Sequence, residues 1–322
     1  EVIERAEKLA VIARAGVGLD NVDIDAATKR GIVAMNTPDG NTITTGEHTI
    51  AMMLSLARQI PQATASMKAG KWEKNRFMGH EFCNKTLGII GTGRVGSTVA
   101  SRAQGMKMNV IAYDPFISPE AAEKLGITLV TLDEIFAKSD FITVHTPLTK
   151  ETEGIVNAAA FAKMKKGVFL INCARGGIIN EKDLYNALVS GKVAGAALDV
   201  FVDEPTNNME LISLENVICT PHLGASTDEA QTNVAIDVAE QIVAYLLKGE
   251  IRNAINFPSV SGEMMHLMRP YLALAEKLGR FKSQLVSGGI KEVIVEYSGE
   301  ILKFNVAPIT ISLLKGLLTP IL

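Results

Sequence analysis

Thr86-Leu-Gly-Ile-Ile-Gly91-Thr-Gly93-Arg94-Val95-Gly96, answered by Asn109-Val-Ile-Ala-Tyr-Asp114, decides the fold of this 322-residue chain. An apolar run opens directly into G-x-G-x-x-G, and a second run ends on an acid 23 residues after Gly91. Gly91 suits the tight strand-to-helix turn, Gly93 lets a pyrophosphate approach bare backbone, and Gly96 lets helix and strand pack closely. The helix that begins there offers free N–H groups and the positive end of its dipole to phosphates. Asp114 suits a ribose diol and repels a 2′-phosphate, which selects NAD over NADP. Strand, glycines, helix and terminal acid together predict a dinucleotide-binding βαβ unit.

Outward from that unit, βα alternation continues. Strands are expected at 127–130, 141–145, 168–172, 194–198 and 217–220, with helices such as Val95–Gln104, Leu132–Ala137 and Glu181–Val189 between them. Upstream, 9–13 and 31–35 read as short strands around a helix at 25–30, the start of a first lobe with its own parallel sheet. One long helix from Thr45 to Ala69 then leads to the glycine motif, and another, from Ala225 to Gly249, leads back to the first lobe. After Pro258 a helix over 263–280 precedes Glu292-Val-Ile-Val-Glu-Tyr297, whose alternation predicts a strand. The expected divisions are therefore 1–40, 41–224, 225–257 and 258–322. Glu1, already within an amphipathic pattern, and the apolar close at 317–322 lead to the expectation of a piece of a longer protein.

Composition narrows the function. Hydrophobic residues make up 47% of the chain and aromatic residues only 5%, as in an α/β protein built on aliphatic side chains. A net charge of −3 gives no reason to expect nucleic acid or an anionic membrane as partner. Cys83, Cys173 and Cys219 lack metal-ligand spacing and read as reduced thiols of a cytoplasmic protein. No apolar run reaches the length of a membrane span.

Three segments carry polar groups at strand ends, where an open parallel sheet lines its ligand crevice. In Asn172-Cys173-Ala-Arg175-Gly-Gly177, Arg175 either forks onto a substrate carboxylate or serves structurally, by capping a helix or pairing with Asp199. In Leu198-Asp199-Val-Phe-Val-Asp-Glu204-Pro205, two acids follow a strand. In Thr220-Pro-His222-Leu-Gly224-Ala225-Ser226, a histidine sits in a turn suited to close ligand approach, in a chain with five histidines. His222 can take a hydroxyl proton near neutrality. Glu204 on its far ring nitrogen would orient the ring and stabilise the imidazolium. Together with the dinucleotide site, this predicts hydride transfer between NAD and a 2-hydroxy acid whose carboxylate Arg175 anchors.

These segments resemble the D-isomer-specific 2-hydroxyacid dehydrogenases. Arg14-Ala-Gly-Val-Gly-Leu-Asp-Asn-Val-Asp23, Asn36-Thr-Pro-Asp-Gly-Asn41 and Gln62-Ala-Thr-Ala-Ser-Met-Lys-Ala-Gly-Lys-Trp72 resemble the subgroup acting on 3-phosphoglycerate. The resemblance covers residues 1–256. It implies a doubly wound, Rossmann-type NAD domain inserted in a flavodoxin-like substrate domain. The remainder resembles the start of an α+β intervening domain. The resemblance assigns catalysis to Arg175, Glu204 and His222, and substrate contact to Asn41. Around NAD it places Gly91, Gly93, Arg94, Val95, Gly96, Asp114, Thr146, Cys173, Asp199 and the turn His222–Ala225, including Gly224. It implies a homodimer or homotetramer, and Lys71, Lys74 and Arg76 as cations able to reach a phosphate. Val17 departs from the pattern, because a hydroxyl residue is usual there. The rival readings are a glyoxylate or hydroxypyruvate reductase, disfavoured by Asp114 with no following cation, and a non-catalytic NAD-sensing module.

Overall fold

The computed structural model describes residues 2–19, 21–257, 262–285, 288 and 290–319, in two compact units, 1–38 with 233–322 and 39–232. The expected first boundary, 40/41, lies two residues from the observed 38/39. The return segment joins the first unit from Asn233 rather than Ala225. The boundary expected at Pro258 lies outside the described residues.

In the first unit, β1 (Val11–Ala13) and β2 (Val33–Met35) pair in parallel around the helix Ile24–Lys29. Asn256 finishes this small sheet. Its Oδ1 accepts from Ala34 N at 2.8 Å and its amide nitrogen donates to Ile32 O at 2.8 Å. Further along, helices Gly262–Leu285 and Ala307–Leu318 pack closely. A Cβ on Gly279 would lie 2.0 Å from Leu313 O, and one on Gly316 2.1 Å from Glu276 O. Only glycine permits backbones that close. The strand expected over 292–297 is not formed. Alternation alone cannot satisfy an extended backbone, which needs a ladder partner, and none is paired with it among the described residues.

The second unit is built on seven parallel strands: β3 (Thr86–Ile90), β4 (Asn109–Tyr113), β5 (Thr128–Leu129), β6 (Phe141–Val144), β7 (Val168–Asn172), β8 (Val193–Leu198) and β9 (Val217–Cys219). Their spatial order is β5-β4-β3-β6-β7-β8-β9. The order reverses between β3 and β6, which opens a crevice at their carboxyl ends, the usual ligand position of a doubly wound sheet. Both faces are covered, so successive residues feed different cores. Leu170 joins Ile142, Ala196 and Leu198 on one side, while Phe169 and Ile171 join Leu87, Ile89 and Ala197 on the other.

The helix expected over 45–69 is broken into Thr42–Ala57 and Ile60–Lys68. Pro61 lacks an N–H and its ring excludes the carbonyl four residues back. That carbonyl, Ala57 O, instead accepts from His80 N at 3.0 Å, and Gln59 turns left-handed (φ 51°) at the break. Gly46 seats the first of these helices against the helix Arg94–Gly105, since a Cβ there would lie 2.5 Å from Thr98 Cγ2. Among the described residues, no helix is long and apolar enough to cross a membrane.

Candidate active site

The glycine loop fixes the floor of the crevice. Gly91 has φ 93°, and a Cβ there would come within 2.7 Å of His145 O, just after β6. On Gly96 a Cβ would lie 2.1 Å from Gly91 O, so the helix can start this close to the strand only with glycine. Gly93 is the helix N-cap, and a Cβ there would meet nothing within 4 Å, so bare backbone faces open space. Val95 is partly buried against the adjoining core. Arg94 is largely exposed and its Nε meets Asp39 Oδ1 at 2.6 Å.

Asp114 closes the loop from β4. Its Oδ2 accepts from Thr92 N at 2.7 Å and Thr92 Oγ1 at 2.9 Å, and its Oδ1 accepts from Phe116 N at 2.9 Å. Burial acts to raise its pKa, but the N–H groups of Phe116 and Thr92 and the Thr92 hydroxyl outweigh it and hold the carboxyl below its ordinary value. The Asp114 carboxylate is thus held ionised by the loop it stabilises. Two buried polar atoms lack a partner at positions assigned to ligands, Thr146 Oγ1 beside the crevice and Asn41 Oδ1. Asn41 precedes the helix Thr42–Ala57 without capping it. An unpaired buried hydroxyl or carbonyl oxygen is costly unless something bonds it. The bare Gly93 backbone, the ionised Asp114 and the waiting Thr146 hydroxyl fit a dinucleotide.

The adjacent ends of β7, β8 and β9 lead into the loops that carry Arg175, Glu204 and His222. After β7, Asn172 folds the chain into a side-chain-stabilised turn. Its Oδ1 accepts from Ala174 N at 3.0 Å and its amide donates to Arg175 O at 2.9 Å. Arg175 is partly buried, with Nη1 donating to Ala174 O at 2.7 Å. A Cβ on Gly176 would lie 1.9 Å from Phe201 O, so the Arg175 turn rests directly on the loop after β8.

That loop brings Glu204 to His222, with Oε2 and Nδ1 2.6 Å apart. Glu204 Oε1 also accepts from Phe201 N at 3.1 Å. Both side chains are between a third and a half exposed, 38% for Glu204 and 48% for His222. With Nδ1 engaged by the carboxylate, Nε2 is the ring atom left to exchange a proton with a ligand.

Asp199, fully buried, builds the turn that holds His222. Its Oδ1 accepts from Thr220 Oγ1 at 2.5 Å, Leu223 N at 2.7 Å and His48 Nε2 at 3.2 Å, and its Oδ2 accepts from Gly224 N at 2.8 Å. Thr45 Oγ1 then donates to Gly224 O at 3.0 Å, and Ala225 O accepts from Gln231 Nε2 at 3.1 Å. His222 itself sits at φ 55°, strain that such a network can sustain.

Sequence reasoning did not find Thr45 and His48. They lie three residues apart on one helix face, but nothing in the chain announces their targets, the Gly224 carbonyl for Thr45 and the Asp199 carboxylate for His48. His48, Cys173 and Asp199 bring one ligand-type atom each within 4.8 Å. The Cys173 thiol, however, is pushed up to about 12 by burial and by the Asp199 charge, and the His48 Nε2–H serves as a hydrogen-bond donor. The cluster therefore acts as a buried polar network.

The chain is similar to known proteins over its whole length. Residues 50–224 match the D-isomer specific 2-hydroxyacid dehydrogenase NAD binding domain, and residues 267–322 match the D-3-phosphoglycerate dehydrogenase intervening domain. The chain is 52% identical over its whole length to D-3-phosphoglycerate dehydrogenase of Archaeoglobus fulgidus. It is 47% identical over 99% of its length to that of Bacillus subtilis. It spans 61% of the length of each of these relatives. Among solved structures, D-lactate dehydrogenase of Aquifex aeolicus, complexed with NAD and lactic acid, superposes with a TM-score of 0.71 at 32% identity. That match covers 78% of this chain and 81% of the other. A glyoxylate reductase of Paecilomyes thermophila gives a TM-score of 0.73 at 35% identity, over 77% of this chain and 76% of the other.

Proposed function

The chain belongs to the D-isomer-specific 2-hydroxyacid dehydrogenase family, and on that premise we propose that it oxidises 3-phosphoglycerate to 3-phosphohydroxypyruvate, the first step of serine biosynthesis. The observation that carries the chemistry is the 2.6 Å contact between His222 Nδ1 and Glu204 Oε2. NAD, when bound, supplies the acceptor for the C2 hydride. Gly91, Gly93, Arg94, Val95, Gly96, Asp114, Thr146, Cys173 and the turn 222–225 would hold it, with Asp199 shaping that turn.

His222 Nε2 takes the hydroxyl proton as the C2–H bond breaks and the C2=O bond forms. Glu204 keeps the ring in the tautomer that leaves Nε2 free to accept, and it stabilises the imidazolium that results. Arg175 pairs with the carboxylate and polarises the C2 oxygen. Asn41 contacts the substrate. In reduction the imidazolium returns the proton to the carbonyl oxygen. We place the protein in the cytoplasm as a homodimer or homotetramer, readable by light scattering.

The test is loss of NADH absorbance with 3-phosphohydroxypyruvate, beside glyoxylate and NADPH. Turnover with NADH and the phosphorylated acid, lost in His222→Ala, is the expected result. Turnover with glyoxylate alone would make the protein a glyoxylate reductase. Tight NADH binding without any turnover would leave a sensing module.

A further inference from the structure

The geometry points to Glu181 as a positioning residue that sets Glu204 against His222, an inference that rests on the acid–base role proposed for that pair. Glu181 is the first residue of the helix Glu181–Val189, six positions after Arg175 on the same connection from β7. Its own helix does not use its carboxylate, because the N-cap is Asn180, whose Oδ1 accepts from Asp183 N at 3.0 Å.

The Glu181 carboxylate instead reaches the loop after β8. Oε1 accepts from Val202 N at 2.8 Å, and Oε2 accepts from Asn208 Nδ2 at 2.7 Å. These two anchors bracket Glu204. Asn208 is itself fixed as the N-cap of the next short helix, with Oδ1 accepting from Leu211 N at 3.3 Å. On the near side, Phe201 is buried and donates its N–H to Glu204 Oε1 at 3.1 Å. The segment 201–208 is thus pinned at Phe201, Val202 and Asn208, and Glu204 is presented from between the pins.

Hydrogen bonds to a charged acceptor are about twice as strong as neutral ones, and a base supported from behind loses catalytic geometry when its support moves. Because Glu181 shares a connection with Arg175, and Gly176 rests on Phe201 O, one carboxylate couples the loop of the carboxylate anchor to the loop of the histidine partner. Arg175 and Glu204 then stay in register even though they lie on different strand ends.

The experiment compares Glu181→Ala, Glu181→Gln, Glu204→Gln and Glu181→Ala/Glu204→Gln in the protein by two readouts. One is the ring ¹H–¹⁵N spectrum of His222, assigned by its loss in His222→Ala. The other is steady-state turnover of 3-phosphohydroxypyruvate with NADH. In Glu181→Ala, the His222 resonances should move toward their positions in Glu204→Gln. kcat should fall about tenfold, a fraction of what a positioned base supplies, while NADH affinity stays unchanged. The double variant should be no slower than Glu204→Gln alone. Glu181→Gln keeps an acceptor for Val202 N–H and should recover part of the loss, and it carries the test if Glu181→Ala does not fold.

Unmoved His222 resonances in both Glu181 variants, or losses that multiply in the double variant, would overturn the assignment. No turnover in the parent protein, with His222 resonances still displaced by Glu181→Ala, would support the clamp and sink the dehydrogenase reading instead.

Discussion

The Asp199 carbonyl accepts the His222 amide at 2.9 Å, so the residue just after β8 holds the proposed base by its backbone while its carboxylate gathers the next two amides. The buried acid therefore acts on the aim of the imidazole without touching it. Four donors converge on its two carboxylate oxygens, and the Leu223 and Gly224 amides have no other acceptor among the described residues.

Asp199→Asn should destabilise the fold by about 2–3 kcal/mol, because an amide nitrogen would face donors and leave buried N–H groups unpaired. The cost should depend on pH. Burial acts to raise the Asp199 pKa, yet bonds from His48, Thr220 and Leu223 hold it below its ordinary 3.8. A depressed folded pKa contributes stability that is complete above the unfolded value and is lost as pH falls through the folded one. The gap between parent and variant in urea midpoints should be constant from pH 7 to about 5 and narrow below about 4. A gap that grows on acidification would refute this account of Asp199.

Gly96→Ala should weaken NADH binding more than about tenfold and lower stability by about 1–3 kcal/mol, the usual cost of overpacking. The added methyl would sit 2.1 Å from Gly91 O, so the loop or the helix must shift. Fluorescence titration reads the first effect and thermal melting the second. Unchanged NADH affinity would mean that the glycine loop is not the pyrophosphate cradle.

Thr146→Val should move two measurements in opposite directions. Removing a buried hydroxyl that lacks a partner should raise the melting temperature of the cofactor-free protein, by up to about 1 kcal/mol of stability. The same change should weaken NADH binding several-fold, through loss of one hydrogen bond worth about 1 kcal/mol. A lower melting temperature with undiminished NADH affinity would assign the hydroxyl to the fold alone.

Arg175→Lys should raise KM for the 2-oxo acid by about tenfold or more while leaving NADH affinity unaltered. A lysine keeps the charge but loses the planar fork that grips both carboxylate oxygens. Equal KM values in the two proteins would make Arg175 a structural residue of the turn that Asn172 builds.

Short-range rules account for the parts of this protein that its residues announce locally. The apolar runs at 86–90, 109–113 and 168–172, the glycines at 91, 93 and 96, and the acid at 114 each have a local consequence. The β3–β4 pair forms with these residues in register. His222 and Glu204 were legible as a pair because strand ends of a parallel sheet converge, which is a topological rule requiring no coordinates.

What stands behind them comes from partners distant in the chain. Thr45 lies 179 residues from the Gly224 carbonyl it bonds, and Glu181 lies 21 residues from the Val202 amide. The break at Gln59 was signalled by Pro61, but the partner of the freed carbonyl, His80, was not. Alternation over 292–297 predicted a strand that no neighbouring strand pairs among the described residues. Local pattern specifies which groups a segment offers. Which distant group accepts them depends on chain closure and packing, whose energies are properties of the assembled fold.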